Sequence, residues 1–257
     1  ANVSTLPDFL EKRYSRSCRD WLAFVSILSA IFIHIGASLY AGAVVMEGLF
    51  GVSIKTSIIA VSVLTGLYTI VGGLMAVVVT ESIQTGILLA GAMAITGVAY
   101  FRIGGWEGLV QSVDPVKLTV LRPSGDPSGL PWYSVMLGYP VIGLWYWCAD
   151  QTIVQRVLGA KDERNARLGA LFCGFIKILP VFIFVLPGLL CAGLIHKQLL
   201  PNELKDSAGT YAFMIFHLLP VGLRGVMAAA LLAALMSTVS GALNSIATLF
   251  SYDIYKR

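Results

Sequence analysis

Long uninterrupted apolar runs constrain the fold of this chain more than any other feature of its sequence. A helix needs about 20 apolar residues to cross the hydrocarbon core of a bilayer. Six runs fall in that range, namely Trp21 to Phe50, Ile54 to Val71, Ile83 to Phe101, Trp132 to Leu158, Leu168 to Ile195 and Leu223 to Phe250. Barrel strands are shorter and alternate apolar with polar residues. We therefore predict an all-α integral membrane protein with about six transmembrane helices.

Composition excludes a soluble globular domain. Hydrophobic residues form 57% of the sequence and charged residues only 12%, whereas a soluble domain carries about a quarter of charged residues. The net charge of +4 is small and the basic residues are scattered, so nucleic acid is not an expected partner. Because apolar side chains must cover most of the exterior, the expected surrounding is a lipid bilayer.

The runs follow one another closely, and we predict a single transmembrane bundle over residues 1–257. Between the last two runs, residues 208–219 carry apolar side chains at near-helical spacing, which indicates a short surface helix. The chain opens on Ala1 instead of Met and ends just after an apolar run. We therefore expect it to be part of a longer protein.

The distribution of Lys and Arg predicts the orientation of the bundle, because cytoplasmic loops carry an excess of these residues. The side that includes both ends of the chain has Lys12, Arg13, Arg16, Arg19, Arg156, Lys161, Arg164, Arg167, Lys256 and Arg257. The opposite side has Lys55, Arg102, Lys117, Arg122, Lys197, Lys205 and Arg224. We predict that both termini are cytoplasmic, in a multi-pass protein of the plasma membrane, or of the inner membrane if the protein is bacterial.

Lys177 lies far from either end of the fifth run. A cation at such a position costs roughly 2.5–3.5 kcal/mol on insertion scales. It needs either an acidic partner, for which Asp150 and Glu47 are candidates, or a wet cavity with a polar ligand. Pro180 and Pro187 in the same run leave backbone carbonyls without donors, which occurs mainly beside a cavity or a neighbouring helix.

The last run carries a stripe of small polar residues, Ser237, Ser240, Asn244, Thr248 and Ser251. Their spacing of three or four residues places them along one face of a helix. Hydroxyls and carbonyls suit a hard cation such as sodium, so Ser237 and Thr238 with backbone carbonyls are a candidate sodium site. The alternative is that these hydroxyls pack helices together or bond to carbonyls of their own helix.

The fourth run is rich in aromatic and amide side chains from Trp145 to Gln151. Sugar sites pair an aromatic face with hydrogen-bonding groups, although Trp and Tyr also anchor helices at membrane interfaces. Gly138, Pro140 and Gly143 come just before this segment. They predict a helix broken near the membrane midplane, where transporters bind their substrates.

Glu81 opens the third run after a break predicted at Gly72 and Gly73. A carboxylate at this position stabilises a helix N-terminus through the helix dipole. The functional alternative is that Glu81 takes part in a cation relay.

His34 stands alone in an apolar run, and we expect a core residue with a satisfied hydrogen bond. The sequence has no zinc-type cluster of ligands. It also lacks the nucleotide-binding loop and the hydrolase and metalloprotease motifs that indicate common catalytic sites. An enzyme is therefore not predicted.

Four segments of the sequence match motifs of one membrane-protein family. They are Val71–Gln84, Trp145–Arg156, Gly174–Pro180 and Asn244–Phe250. Together they resemble the sodium:solute symporter family, most closely its sodium/glucose cotransporter branch, along nearly the whole chain. The resemblance implies a LeuT-like inverted-repeat helical bundle, of which this chain would be an incomplete part, core helices three to eight.

The resemblance also implies a substrate site. Lys177 matches a sugar-contacting lysine, Tyr146 an inner-gate tyrosine, and Trp147 the aromatic residue beside it. Gly143 stands where relatives carry a side chain that contacts the sugar. The expected substrate is therefore a sugar, with its identity open.

Two cation sites follow from the same resemblance. Ala234, Ser237 and Thr238 match half of the family's sodium site, whose other half belongs to a broken first helix. Glu81 and Ser240 match a possible second cation site of some members, where Asp usually replaces Glu81. The implied co-transported ion is sodium.

The implied activity is sodium-coupled symport of a sugar such as glucose or galactose by alternating access. An alternative within the family is symport of inositol, an amino acid, a vitamin or sialic acid. An alternative of another class is a membrane sensor in which a symporter-like bundle feeds a signalling domain.

Overall fold

The computed structural model describes residues 3–127, 129–204 and 206–256. Lys205 and Arg257, which enter the charge comparison, lie outside the described residues, as do residues 1, 2 and 128. The longer helices are α1 (Leu6–Arg13), α2 (Arg16–Phe50), α3 (Ile54–Gly73), α4 (Val77–Ile103), α5 (Gly105–Ser112), α6 (Trp132–Cys148), α7 (Gln151–Leu158), α8 (Glu163–His196), α9 (Thr210–Leu218) and α10 (Val221–Tyr255). No β-strand occurs in these ranges, and the predicted all-α class is confirmed.

Five helices, α2, α3, α4, α8 and α10, are long and apolar enough to cross a membrane. They correspond to five of the six predicted runs. Three of them contain short π-helical stretches, at Ala30–Ile35 in α2, Val181–Val185 in α8 and Phe250–Tyr255 at the end of α10. Hydropathy therefore located these five helices, and it gave no sign of the π-helical stretches inside them.

The predicted fourth crossing is two helices instead of one, because the chain leaves the helix between α6 and α7. The predicted break near Gly138, Pro140 and Gly143 was wrong, since α6 continues through all three. The break lies at Ala149 and Asp150, where the Asp150 carboxylate accepts a hydrogen bond of 2.8 Å from the Thr152 N–H and caps α7. A capping carboxylate ends one helix and starts the next.

The break between α3 and α4 occurs where the sequence predicts it, at the glycine pair. Gly73 has φ 59° and ψ −169°, a conformation that is open to glycine and strained for other residues. A Cβ on Gly73 would meet no atom within 4 Å. Backbone conformation, and not space, therefore requires glycine here.

A buried apolar cluster joins α4, α5, α8, α9 and α10 at one end of the bundle. Its members include Ile95, Leu109, Leu194, Met214, Ile215 and Met227. Helix α9 is the short helix predicted over residues 208–219. Met214, Ile215 and Leu218 on this helix are buried, whereas Phe216 is 50% exposed, as in a helix that turns one face toward the core.

At the opposite end of the bundle, hydrogen bonds tie the start of the chain to the end of α10. Asp253 is fully buried, and its Oδ1 accepts from Thr5 Oγ1 at 3.0 Å and from Arg19 Nε at 2.7 Å. Arg19 also donates to the Tyr252 carbonyl at 2.7 Å and pairs with Glu11. We call Thr5, Arg19 and Asp253 the terminal latch, because they hold α1 and α2 against α10.

We predict that Arg19→Ala destabilises the protein by about 3 kcal/mol, because it leaves the buried Asp253 carboxylate without its cation. The matched control is Arg167→Ala, since Arg167 pairs with Glu163 on the surface, with side chains 76% and 78% exposed. Exposed pairs contribute little. Thermal unfolding in detergent measures both variants, and equal melting temperatures would contradict a structural role for the latch.

Candidate functional site

The aromatic residues of the predicted substrate site lie in the last turn of α6, directly before the break at Ala149 and Asp150. The ring centroids of Tyr146 and Trp147 are 5.3 Å apart, with the ring planes at 90°. This edge-to-face arrangement is a favourable one for aromatic pairs. The break therefore fixes two neighbouring rings at the end of a helix.

Lys177 approaches these rings from α8. The regular helix of α8 is interrupted at Lys177 and Ile178, where the Ile178 N–H bonds to Phe175 at 3.2 Å. Pro180 has no N–H to donate to the preceding turn, which accounts for this loosening. The interruption comes midway along α8 and places Lys177 beside the end of α6.

The three residues of the predicted substrate site lie together. The Lys177 ammonium is 5.6 Å from the Tyr146 ring centroid and 5.4 Å from the Trp147 ring centroid. Both distances fall in the range of cation–π attraction. Within the described part of the chain, neither Asp150 nor Glu47 forms an ion pair with Lys177. Lys177 therefore lies against two aromatic rings and not beside either of the acidic partners considered from the sequence.

A cavity of about 590 Å³ opens beside this cluster. Its polar and aromatic lining comes from Tyr146, Trp147, Arg156, Asn165, Cys173 and Lys177. Its volume falls in the usual range for small-molecule sites, about 300–1,000 Å³. Aromatic faces beside an ammonium, a guanidinium and an amide can stack on a sugar ring and hydrogen-bond its hydroxyls.

The predicted sodium-site residues share one turn of α10. The hydroxyls of Ser237 and Thr238 each donate to the Ala234 carbonyl at 3.1 Å. Bonding to the same helix is what the packing alternative expects. Each hydroxyl oxygen still keeps a lone pair, so the turn offers several neutral oxygens to a hard cation. No cluster of three His, Cys, Asp or Glu suited to a metal ion occurs among the described residues.

Glu81 and Ser240, the predicted second cation site, each have partners in the structure. Glu81 accepts from the Arg156 guanidinium at 2.7 and 3.3 Å, through both carboxylate oxygens. The Ser240 hydroxyl accepts from Thr69 at 2.7 Å. Arg156 lies against the residue after Ser240, since a Cβ on Gly241 would come within 2.7 Å of its Nη2. The Arg156 guanidinium therefore lies where the resemblance implies a second cation site.

His34 is a hydrogen-bonded core residue, as expected, and its partner is Asp150. The distance from Nε2 to the carboxylate Oδ2 is 2.7 Å. Sequence reasoning missed this pair, and it also placed Arg156 with the residues at the cytoplasmic surface. The local pattern Asp150, Gln151, Thr152 carried the signal of a helix cap, whereas the partners of His34 and Arg156 are distant in sequence.

The chain is similar to known proteins over its whole length. The model of the sodium:solute symporter family matches residues 1–257. The chain belongs to the sodium:solute symporter family. It is 36% identical to sodium/glucose cotransporter 2 of Rattus norvegicus, over 100% of this chain and 44% of the rat protein. It is 33% identical to sodium/mannose cotransporter SLC5A10 of Bos taurus, over 100% of this chain and 48% of that protein.

A solved structure shares the fold of this symporter-family chain. It is a substrate-bound outward-open state of a Na⁺-coupled sialic acid symporter, with a TM-score of 0.82 and 25% sequence identity. The match covers 98% of this chain and 54% of the other. The predicted LeuT-like helical bundle is confirmed, and the chain is a multi-pass membrane protein. It spans about half the length of the proteins that it matches.

We predict that the Glu81–Arg156 pair stabilises the bundle. Their side chains are 19% and 29% exposed, so losing one partner costs about 1–2 kcal/mol, less than in a fully buried pair. Thermal unfolding should show a loss for Glu81→Arg and for Arg156→Glu, and a recovery when the two are combined. Glu163→Gln, in the exposed pair with Arg167, serves as the control. A double variant less stable than both single variants would contradict the pairing.

Proposed function

We propose that the protein containing this chain is a secondary active transporter, a symporter that couples sodium to the uptake of a sugar such as glucose or galactose by alternating access. The observation that carries the proposal is the Lys177 ammonium beside the Tyr146 and Trp147 rings, on the wall of a 590 Å³ cavity. Membership of the sodium:solute symporter family and the identity to sodium/glucose and sodium/mannose cotransporters support it.

In the proposed mechanism, Tyr146 and Trp147 give the sugar an aromatic surface and Lys177 donates to a sugar hydroxyl. Ala234, Ser237 and Thr238 supply neutral oxygens to sodium, and completion of its coordination shell requires oxygens from elsewhere. The second cation position remains Glu81 with Ser240. Binding of a cation there would require the Glu81 carboxylate to exchange Arg156 for that cation.

Arg156 offers a route by which the two ligands affect each other. It lines the substrate cavity, pairs with Glu81 and lies against Gly241, one helical turn after Ser237. Sodium binding at this turn therefore selects conformations that also fix the cavity wall. One charge crossing 100 mV contributes about 2.3 kcal/mol to uptake.

The proposed location is the plasma membrane, or the inner membrane if the protein is bacterial, with both termini of the chain in the cytoplasm. The support is the excess of Lys and Arg on that side of the sequence. The proposed partners are a sugar, sodium ions and the bilayer, and no nucleic acid. A transporter with these parts needs no catalytic residues.

A second candidate substrate is an acidic sugar. Lys177 lines the cavity and, among the residues that the structure describes, has only aromatic rings beside its ammonium, so it suits a carboxylate. The structural neighbour is a sialic acid symporter. Competition between labelled glucose and unlabelled sialic acid separates the two candidates.

We predict that Lys177→Ala lowers sodium-dependent glucose uptake about 10- to 100-fold, which corresponds to the loss of one hydrogen bond from a charged donor. The assay uses proteoliposomes that contain the complete gene product, with sodium or potassium outside. Lys161→Ala is the matched control, because Lys161 is exposed in the turn before α8. Uptake that survives in Lys177→Ala would overturn the assigned role, and wild-type uptake equal in potassium would overturn sodium coupling.

We further predict that Thr238→Ala raises the sodium concentration for half-maximal uptake about 10-fold, because it removes one ligand oxygen. Thr248→Ala is the control in the same helix. Both hydroxyls donate to the carbonyl four residues earlier, at 3.1 Å for Thr238 and 2.8 Å for Thr248. If the two variants respond equally, the hydroxyls only pack the helix and the sodium assignment fails.

A further inference from the structure

A second, smaller cavity of about 230 Å³ lies between α2, the α6–α7 break and α10. Its polar lining includes Ser29, His34, Asp150, Gln151 and Ser245. The volume is below that of ordinary small-molecule sites, and the proposed mechanism makes no use of the cavity.

Three residues that line this cavity each carry a polar atom that is buried without a hydrogen-bond partner. These atoms are Ser29 Oγ, Gln151 Nε2 and Ser245 Oγ. The whole Gln151 residue is 2% exposed and Ser245 is 1% exposed. Buried polar groups in native proteins nearly always have a partner, either in the protein or in ordered water. Three such groups from three elements around one space therefore indicate an occupant.

The hydrogen bonds already made decide the chemistry of that occupant. Asp150 Oδ1 accepts from the N–H and hydroxyl of Thr152, and Oδ2 contacts His34. Gln151 Oε1 accepts from the Leu6 N–H at 3.3 Å. The group that Gln151 offers the cavity is consequently an N–H donor, which disfavours a cation. An occupant that accepts from this N–H and also donates to or accepts from two hydroxyls is water.

We infer that this cavity is a buried water site, in which a few ordered molecules bridge Ser29, Gln151 and Ser245. The volume holds several waters, since each takes roughly 30 Å³ in the liquid. The bridge joins α2 and α10 to the first residue of α7. Water thereby supports the chain next to the helix break at Asp150, which lines the same cavity.

The test compares two serines in the complete gene product reconstituted in nanodiscs. Ser245 and Ser57 are each 1% exposed and each has a hydroxyl without a protein partner, but only Ser245 lines this cavity. Ser245→Ala loses a bond to water, and we expect its melting temperature to fall by about 2–4 °C. Ser57→Ala removes an unsatisfied hydroxyl and should leave the melting temperature unchanged or raise it.

Valine at the same positions distinguishes water from empty space. If water is present, Ser245→Val displaces it and lowers the melting temperature further than Ser245→Ala, relative to the same pair at Ser57. If the cavity is dry, Ser245→Val fills a void and raises the melting temperature, which would overturn the inference.

Radiolytic labelling of the wild-type protein needs no variant and keeps the inference testable if a variant fails to fold. X-ray radiolysis in isotope-labelled water oxidises side chains next to bound water. The side chain of His34 is only 15% exposed, and we expect it to be labelled at least several-fold above background. Labelling of His34 no higher than background would contradict a water site.

Discussion

The bilayer supplies no water to hydrogen-bond the backbone, so each interruption of a helix must find its partners inside the protein. This chain has interruptions at Gly73, at Ala149 and Asp150, and at Lys177. At Gly73 the backbone adopts a conformation that is open to glycine. At Asp150 the carboxylate caps the next helix, and at Lys177 a tight turn comes before Pro180. The rest of the bundle holds these irregular points in place.

Two of these interruptions bring the side chains of the candidate substrate site together. The cap at Asp150 ends α6 directly after Tyr146 and Trp147, and the loosened turn of α8 brings Lys177 to those rings. A continuous helix would spread these groups along its length and face them toward lipid or a neighbour. Broken helices lose some backbone hydrogen bonds, and here the broken ends bring an ammonium and two aromatic rings to the wall of one cavity.

How far the sequence predicts this structure depends on how local each signal is. Apolar runs locate the helices, and the glycine pair marks one break, because both signals lie within a few residues. The second break was predicted at Pro140 although Asp150 makes it, since a proline is tolerated within a membrane helix. The pairing of His34 with Asp150 joins residues 116 positions apart. Without a local pattern to indicate it, only the folded chain reveals that pair.

The terminal latch also limits how α10 can move. Arg19 and Asp253 join α2 to α10 at one end of the bundle. A relative movement of the two helices that keeps this ion pair intact is a tilt about that point. Ser237 lies 16 residues from Asp253, about 24 Å along a helix at 1.5 Å per residue. A tilt of about 10° at the latch therefore displaces the hydroxyls at Ser237 by about 4 Å. A tilt that leaves the latch closed would therefore be large enough to assemble or dismantle the cation shell proposed at Ser237 and Thr238.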